Sequence, residues 1–214
     1  RVNYQSVGSG AGVRQFLAGT VDFGATDEPI KASEAAKVSR GVVQFPAVGG
    51  TIAIAYNKAD CKGLKLSQKQ AADIFLGKIR TWDQLKCGKG AITVAHRSDG
   101  SGTTFAFTNS LSAFSPEWKS KVGEGKSVKW PVGVGGKGNE GVAGVISNTP
   151  GAIGYVNQSY VKGKLKAAAL QNKAGKYVMP TLAGGAAALN NIKLDGNLAG
   201  EDPNPAGATS YPIS

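Results

Sequence analysis

Apolar residues recur along this chain in short, dense runs separated by glycine-rich turns. The runs at 51–57 (TIAIAYN) and 91–96 (AITVAH) are apolar and rich in β-branched residues, the pattern of buried strands. Residues 2–7 alternate, which predicts a further short strand. Residues 21–25, 151–156, 165–170 and 177–179 read as strands too, residues 41–46 as extended chain, and residues 211–214 as strand-like. Helical spacing or capping signals predict helices over 13–18, 33–39 with a Ser33 cap, 67–76, 81–85, 103–114, 140–147 and 181–190. Strands and helices alternate without a long block of either, which predicts an α/β fold with mainly parallel sheets. At residues 8–12 and 97–102 a strand ends in a Gly/Ser turn that opens a helix. In α/β sheets, ligands bind at such carboxyl-end loops.

Composition narrows the class. Of 214 residues, 41% are hydrophobic and 18% charged, too apolar for a disordered chain. The 31 glycines fall in short motifs, not repeats, as tight turns and close backbone approaches require. No run of 18 apolar residues marks a membrane span. Net charge is +11, and residues 57–130 alone hold thirteen basic and six acidic residues. That excess is either a solvated lysine surface or a field that steers an anion. The basic residues are scattered and no nucleic-acid-binding motif is present, so nucleic acid is not the expected partner. Cys61 and Cys87 form no CxxC, and the single histidine, His96, lies nine residues past Cys87. That spacing does not suit a zinc site, and no metal or cofactor is expected. The pair is compatible with a disulfide in an oxidising compartment or with two free thiols.

Three segments carry candidate chemistry. Gly8-Ser9-Gly10-Ala11-Gly12 lets bare backbone approach a ligand ahead of a helix, whose free N–H groups favour anions. It lacks the Gly-Lys-Ser/Thr ending of a P-loop, and as a plain helix cap it would need no ligand. Asp27 ends Asp22-Phe23-Gly24-Ala25-Thr26-Asp27. An Asp there is ordinarily a cap. Beside an anion site it would accept a hydrogen bond only from an anion that still carries a proton. Phosphate does so at neutral pH, whereas sulfate meets only repulsion. The most specific segment is His96-Arg97-Ser98-Asp99-Gly100-Ser101-Gly102-Thr103-Thr104. Arg97 offers a planar fork of donors suited to phosphate oxygens. Asp99 can orient it, Ser101 and Thr103 supply hydroxyls, and the backbone of Gly102 and Thr103 begins a helix. The plainer alternative is a capped helix beside a surface ion pair. His96 and the three tryptophans, Trp82, Trp118 and Trp130, read as structural.

These segments resemble the periplasmic phosphate-binding proteins of bacterial phosphate ABC importers. The resemblance also runs through Phe45-Pro46-Ala47-Val48-Gly49-Gly50, Leu76-Gly77-Lys78-Ile79-Arg80-Thr81-Trp82-Asp83, the stretch 128–142 (VKWPVGVGGKGNEGV) and Pro150-Gly151-Ala152-Ile153-Gly154-Tyr155-Val156. It is dense over residues 1–160. It implies a type II-like periplasmic binding protein, with two α/β domains and dehydrated phosphate held in the cleft between them. By motif position it implies Ser9, Asp27, Arg97, Ser101, Gly102 and Thr103 as phosphate contacts, with Asp99 supporting Arg97. It implies a non-enzymatic, periplasmic monomer that delivers phosphate to membrane permease subunits. A periplasmic location would permit the Cys61–Cys87 disulfide. The domains expected are a partial first α/β domain over 1–54, a second over 55–205, and a return crossover over 206–214. A Gly-Ala-Gly-Ala-Thr-Phe contact loop of the family has no counterpart here, so the first domain is expected to be incomplete and loosened. Two competing functions stand: a binder of another oxyanion such as sulfate or molybdate, and a phosphoester-cleaving enzyme using Ser9, Ser101 or Asp27. Against the enzyme, no general base neighbours either serine in sequence and no metal-ligand cluster is visible.

Overall fold

A computed structural model describes residues 1–214. Its centre is a five-stranded sheet in the order β4-β3-β5-β1-β6. Strands β1 (Ile52–Asn57) and β5 (Ala152–Asn157) are buried on both faces and pair antiparallel from Ile52↔Asn157 to Asn57↔Ala152. Strand β3 (Thr93–Arg97) runs parallel to β5, and β4 (Val134–Gly136) parallel to β3. Strand β6 (Lys166–Ala167) closes the far edge antiparallel to β1. A small sheet joins β2 (Lys65–Leu66), β7 (Ala169–Gln171) and β8 (Tyr177–Val178). The α/β expectation holds. The expected mainly parallel pairing does not: three strand pairs are parallel and three antiparallel. A run buried on both faces has no built-in direction. The connections decide it, and β1 meets β5 only after three strands and four α-helices have intervened.

The two faces of β1 sort by size. Ile52, Ile54 and Tyr56 enter a large core with Phe75, Trp82, Phe107, Leu111, Trp118, Ile153 and Tyr155. Ala55 faces a smaller core of Ala95, Val142, Ile146, Val156 and Leu165. Helices α3 (Gln68–Phe75) and α4 (Gly102–Phe114) cover the first face. Helix α6 (Gly138–Asn148) lies closely on the second. Gly154 permits that approach, since a Cβ there would stand 2.6 Å from the Ala95 carbonyl oxygen and 3.0 Å from Ile146 Cδ1. Helix α3 starts where a capping box predicts: the Gln70 N–H donates to Ser67 Oγ at 3.1 Å, and the Ser67 N–H to Gln70 Oε1 at 2.9 Å. Helix α5 (Pro116–Lys121), with Ser115 as its cap, and α7 (Leu182–Leu189), capped by Thr181, complete this part. Cys61 and Cys87 form a disulfide with Cα atoms 4.8 Å apart.

Residues 1–50 contribute α1 (Ser9–Leu17) and the single turn α2 (Ala32–Ala35), and no strand. The strands expected over 2–7 and 21–25 do not form. Extended chain becomes a strand only beside a partner that takes its N–H and C=O groups, and no backbone bond pairs residues 1–7. Helix α1 begins at Ser9, inside what reads as a turn. Ser33 lies within α2 instead of capping it, and the Lys31 N–H donates to Glu34 at 3.0 Å. Residues 211–214 form no strand either. Tyr211 and Ile213 are nevertheless fully buried, and the Ile213 carbonyl accepts the Ile52 N–H at 3.0 Å. No helix is long and apolar enough to cross a membrane.

Candidate functional site

Strand β3 delivers Arg97 to the C-terminal edge of the central sheet. Its backbone N–H donates to the buried Tyr155 hydroxyl at 3.1 Å, and Tyr155 stacks on Phe107 with centroids 4.3 Å apart. The guanidinium is almost wholly buried. Its Nε donates to Asp99 Oδ1 at 2.7 Å and its Nη2 to Asp99 Oδ2 at 2.5 Å. Asp99 Oδ1 also accepts the Gly138 N–H at 3.1 Å. Burial works against the Arg97 charge, but the hydrogen bond and charge of Asp99 outweigh it and raise its pKa. The bond to Arg97 in turn holds the Asp99 carboxyl below the usual aspartate range. Arg97 is therefore cationic and fixed, with two of its five N–H donors engaged by Asp99.

The turn after Arg97 opens α4. Ser101 is fully buried; its Oγ accepts the Thr104 N–H at 3.1 Å, and its own N–H donates to the Lys126 carbonyl at 2.8 Å. The buried Gly102 and Thr103 follow in the first turn, where amide groups lack partners within the helix. A second helix start faces this one. Gly8, at φ 81°, turns the chain into α1 and lies so close to Asp99 that a Cβ there would stand 2.8 Å from Oδ2. The Gly10 N–H donates to the Gly100 carbonyl at 2.9 Å, which ties the two turns together. Ser9 Oγ accepts the Asp27 N–H at 3.2 Å. A Cβ on Gly102 would stand 2.5 Å from both Ser9 Oγ and the Asp27 side chain. Surrounding protein raises the Asp27 carboxyl above its ordinary value, opposed by the Arg97 charge. Asp27 nonetheless keeps an exposed face, so water screens part of that effect.

Ser9, Asp27, Arg97, Asp99, Ser101, Gly102 and Thr103 all line one cavity of about 810 Å³. A third helix start joins them, through Lys137, Gly138, Asn139 and Glu140 at the head of α6. Sequence reading leaves residues 137–139 before a helix that it begins at Glu140, and assigns none of the four to the site. The available signal was the repeated strand–glycine–helix pattern, but β4 is only Val134-Gly135-Gly136 and carries no β-branched run. His96 stays outside: its ring stacks on Trp130 at 4.9 Å and its Nδ1 bonds the Arg97 carbonyl at 3.0 Å. Trp82 and Trp118 are core residues. No cluster of His, Cys, Asp and Glu side chains could hold a metal ion.

A family model described as the PBP superfamily domain matches residues 1–214. The chain is 48% identical to the phosphate-binding protein PstS of Pasteurella multocida, an alignment that covers all of this chain and 66% of that protein. It is also 48% identical to the phosphate-binding protein PstS of Haemophilus influenzae, covering all of this chain and 68% of the relative. The chain thus spans about two thirds of the length of these curated relatives. Among solved structures, the phosphate-binding protein from Stenotrophomonas maltophilia superposes with a TM-score of 0.73 at 23% identity, over 99% of this chain and 69% of that one, and shares the fold. A match along the whole chain, and near-half identity to these relatives, establish that this chain belongs to the PBP superfamily, in the family of the phosphate-binding proteins PstS.

Proposed function

We propose that this chain holds inorganic phosphate in the cleft without transforming it, acts as a monomer in the periplasm, and hands phosphate to the membrane permease subunits of an ABC importer. The observation that carries the proposal is the convergence of a fixed arginine, two helix starts and one aspartate on a single cavity. Arg97 and the α1 and α4 amides suit the negative oxygens. Ser9, Ser101 and Thr103 add hydroxyls. Asp27 suits the one oxygen that keeps its proton, which favours phosphate over sulfate or molybdate. The name that the relatives carry supports the same ligand. The cleft lies between two units, residues 1–54, which bring Ser9 and Asp27, and residues 55–205, which bring Arg97 to Thr103, with 206–214 crossing back. The Ile52–Ile213 bond, which sets both crossings side by side, supports that division.

Isothermal titration of the protein with phosphate and then sulfate tests the proposal. Tight phosphate binding with weak sulfate binding is expected, and equal affinities would overturn it. Incubation with a phosphoester is expected to release no phosphate; catalytic release would favour the phosphoester-cleaving reading.

A further inference from the structure

Glu28 follows Asp27 directly, yet it is 6% exposed while Asp27 is open to the cavity. Its carboxylate pairs with Lys126 at 2.6 Å, and the exposed Lys31 approaches at 3.7 Å. The turn that presents it is closed locally, since Thr26 Oγ1 donates to the Glu28 carbonyl at 2.8 Å. On the other side, Lys126 belongs to the loop after α5. That loop is anchored to α4 through the Gly125 N–H, which donates to Thr108 Oγ1 at 3.2 Å. The Lys126 carbonyl accepts the Ser101 N–H at 2.8 Å. One residue therefore holds the cap of α4 with its backbone and the neighbour of Asp27 with its side chain. The phosphate reading uses neither Glu28 nor Lys126, and neither lines the cavity.

Resting on that reading, we propose that Glu28 and Lys126 are positioning residues: their ion pair clasps the Asp27 turn to the Ser101–Thr103 helix start from behind the cleft and sets the phosphate affinity. Glu201, itself partly buried, lies within electrostatic range of Glu28. Lys126 is the nearer and more shielded of the two cations that meet the buried Glu28 carboxylate. An ion pair shielded from water loses most when one partner is removed, because the other charge is left uncompensated. Losing it would free the Asp27 turn to move away from Gly102.

The test is a titration series on the whole protein with Lys126→Met, Lys126→Arg, Glu28→Gln and the double variant Glu28→Gln/Lys126→Met. Lys126→Met and Glu28→Gln are each expected to weaken phosphate binding about tenfold, with the double variant no weaker than either single one. Lys126→Arg should retain most of the affinity, and the double variant, which leaves neither charge unpaired, should keep its ligand-free melting temperature within a few degrees of the wild-type value. Undiminished affinity in both single variants would overturn the proposal, as would strictly additive losses. Hydrogen exchange without phosphate provides a readout independent of the ligand. In Lys126→Met the amides of Gly10, Asp27 and Ser101 should exchange faster while those of Ala55 and Ile153 do not change. Unchanged exchange at those three amides would overturn the clasp. Failure of the unmodified protein to bind phosphate would overturn the functional reading instead and leave the exchange result to judge the clasp.

Discussion

Arg97 and Asp27 carry opposite charge into one cavity, and the two make different predictions. Arg97 is held by Asp99 and Tyr155, so its donors meet an anion without losing side-chain freedom at the moment of binding. Arg97→Ala is expected to cost about 1.5–3 kcal/mol or more of phosphate binding, the scale of a charge-assisted hydrogen bond. A loss of a few tenths by titration would remove Arg97 from the site. Asp27→Asn should narrow the gap between phosphate and sulfate, because an amide can donate to an oxyanion that has no proton. The wild-type protein should show the same trend with pH. Burial raises the Asp27 pKa, which favours the neutral acid, so lowering the pH through that raised value protonates Asp27 and turns its repulsion of sulfate into a donor. Sulfate competition measured from neutral pH downward should therefore strengthen, and a flat selectivity profile would contradict this role for Asp27.

At the scale of elements, the site is three helix starts on the edge of one sheet, and their spacing depends on glycine. Gly102 has room for no side chain, since a Cβ would meet Ser9 and Asp27 at 2.5 Å. Gly102→Ala should therefore push α1 and the Asp27 turn away from α4, and weaken phosphate binding at least tenfold, about 1.4 kcal/mol. Titration of that variant checks it; unchanged affinity would mean that the two sides need not approach. A second element-scale prediction concerns the Cys61–Cys87 bond. It closes a 26-residue separation between the end of β1 and the turn before β3. On the loop-entropy account it stabilises by about 3 kcal/mol, so reduction should lower the melting temperature by about 6–12 °C in a chain of this size. Calorimetry with and without reductant reads the shift, and a change under two degrees would show that the surrounding core holds those turns unaided.

Across the whole molecule, order is unevenly distributed. Strands β1, β3 and β5 are flanked by helices, and the C-terminal residues Tyr211 and Ile213 pack into their core. Residues 1–7 and 42–50 donate no backbone hydrogen bond, and they carry the exposed side chains Val2, Tyr4, Val43, Phe45 and Val48. Local opening is cheapest where buried contacts and protected amides are few. Hydrogen exchange of the 214-residue chain should be slowest at Ala53, Ala55, Ile153 and Tyr155 and fastest at residues 1–7 and 42–50. Equal protection in both sets would show that residues 1–7 and 42–50 are as firmly held as the central sheet.

Much of this could be read from the chain alone, where the governing interactions are local. The Ser67–Gln70 box that starts α3, the apolar runs of β1 and β5, and the Arg97–Asp99 pair two residues apart each draw on neighbours in sequence. Of the six candidate contact residues, Ser9, Ser101, Gly102 and Thr103 stand at helix starts that glycine and serine mark in the sequence, while Arg97 ends a strand and Asp27 follows an extended segment. Only the tertiary structure decided what those segments face. Whether β1 runs with or against β5, whether Val134-Gly135-Gly136 finds an edge to pair with, and whether residues 2–7 become a strand depend on partners supplied from far along the chain. The place of Lys137–Glu140 at the cavity and the pairing of Glu28 with Lys126 are of that kind too. A strand or a buried charge is stable only when its complement arrives, and the residues that bring the complement leave no mark at the position that receives it.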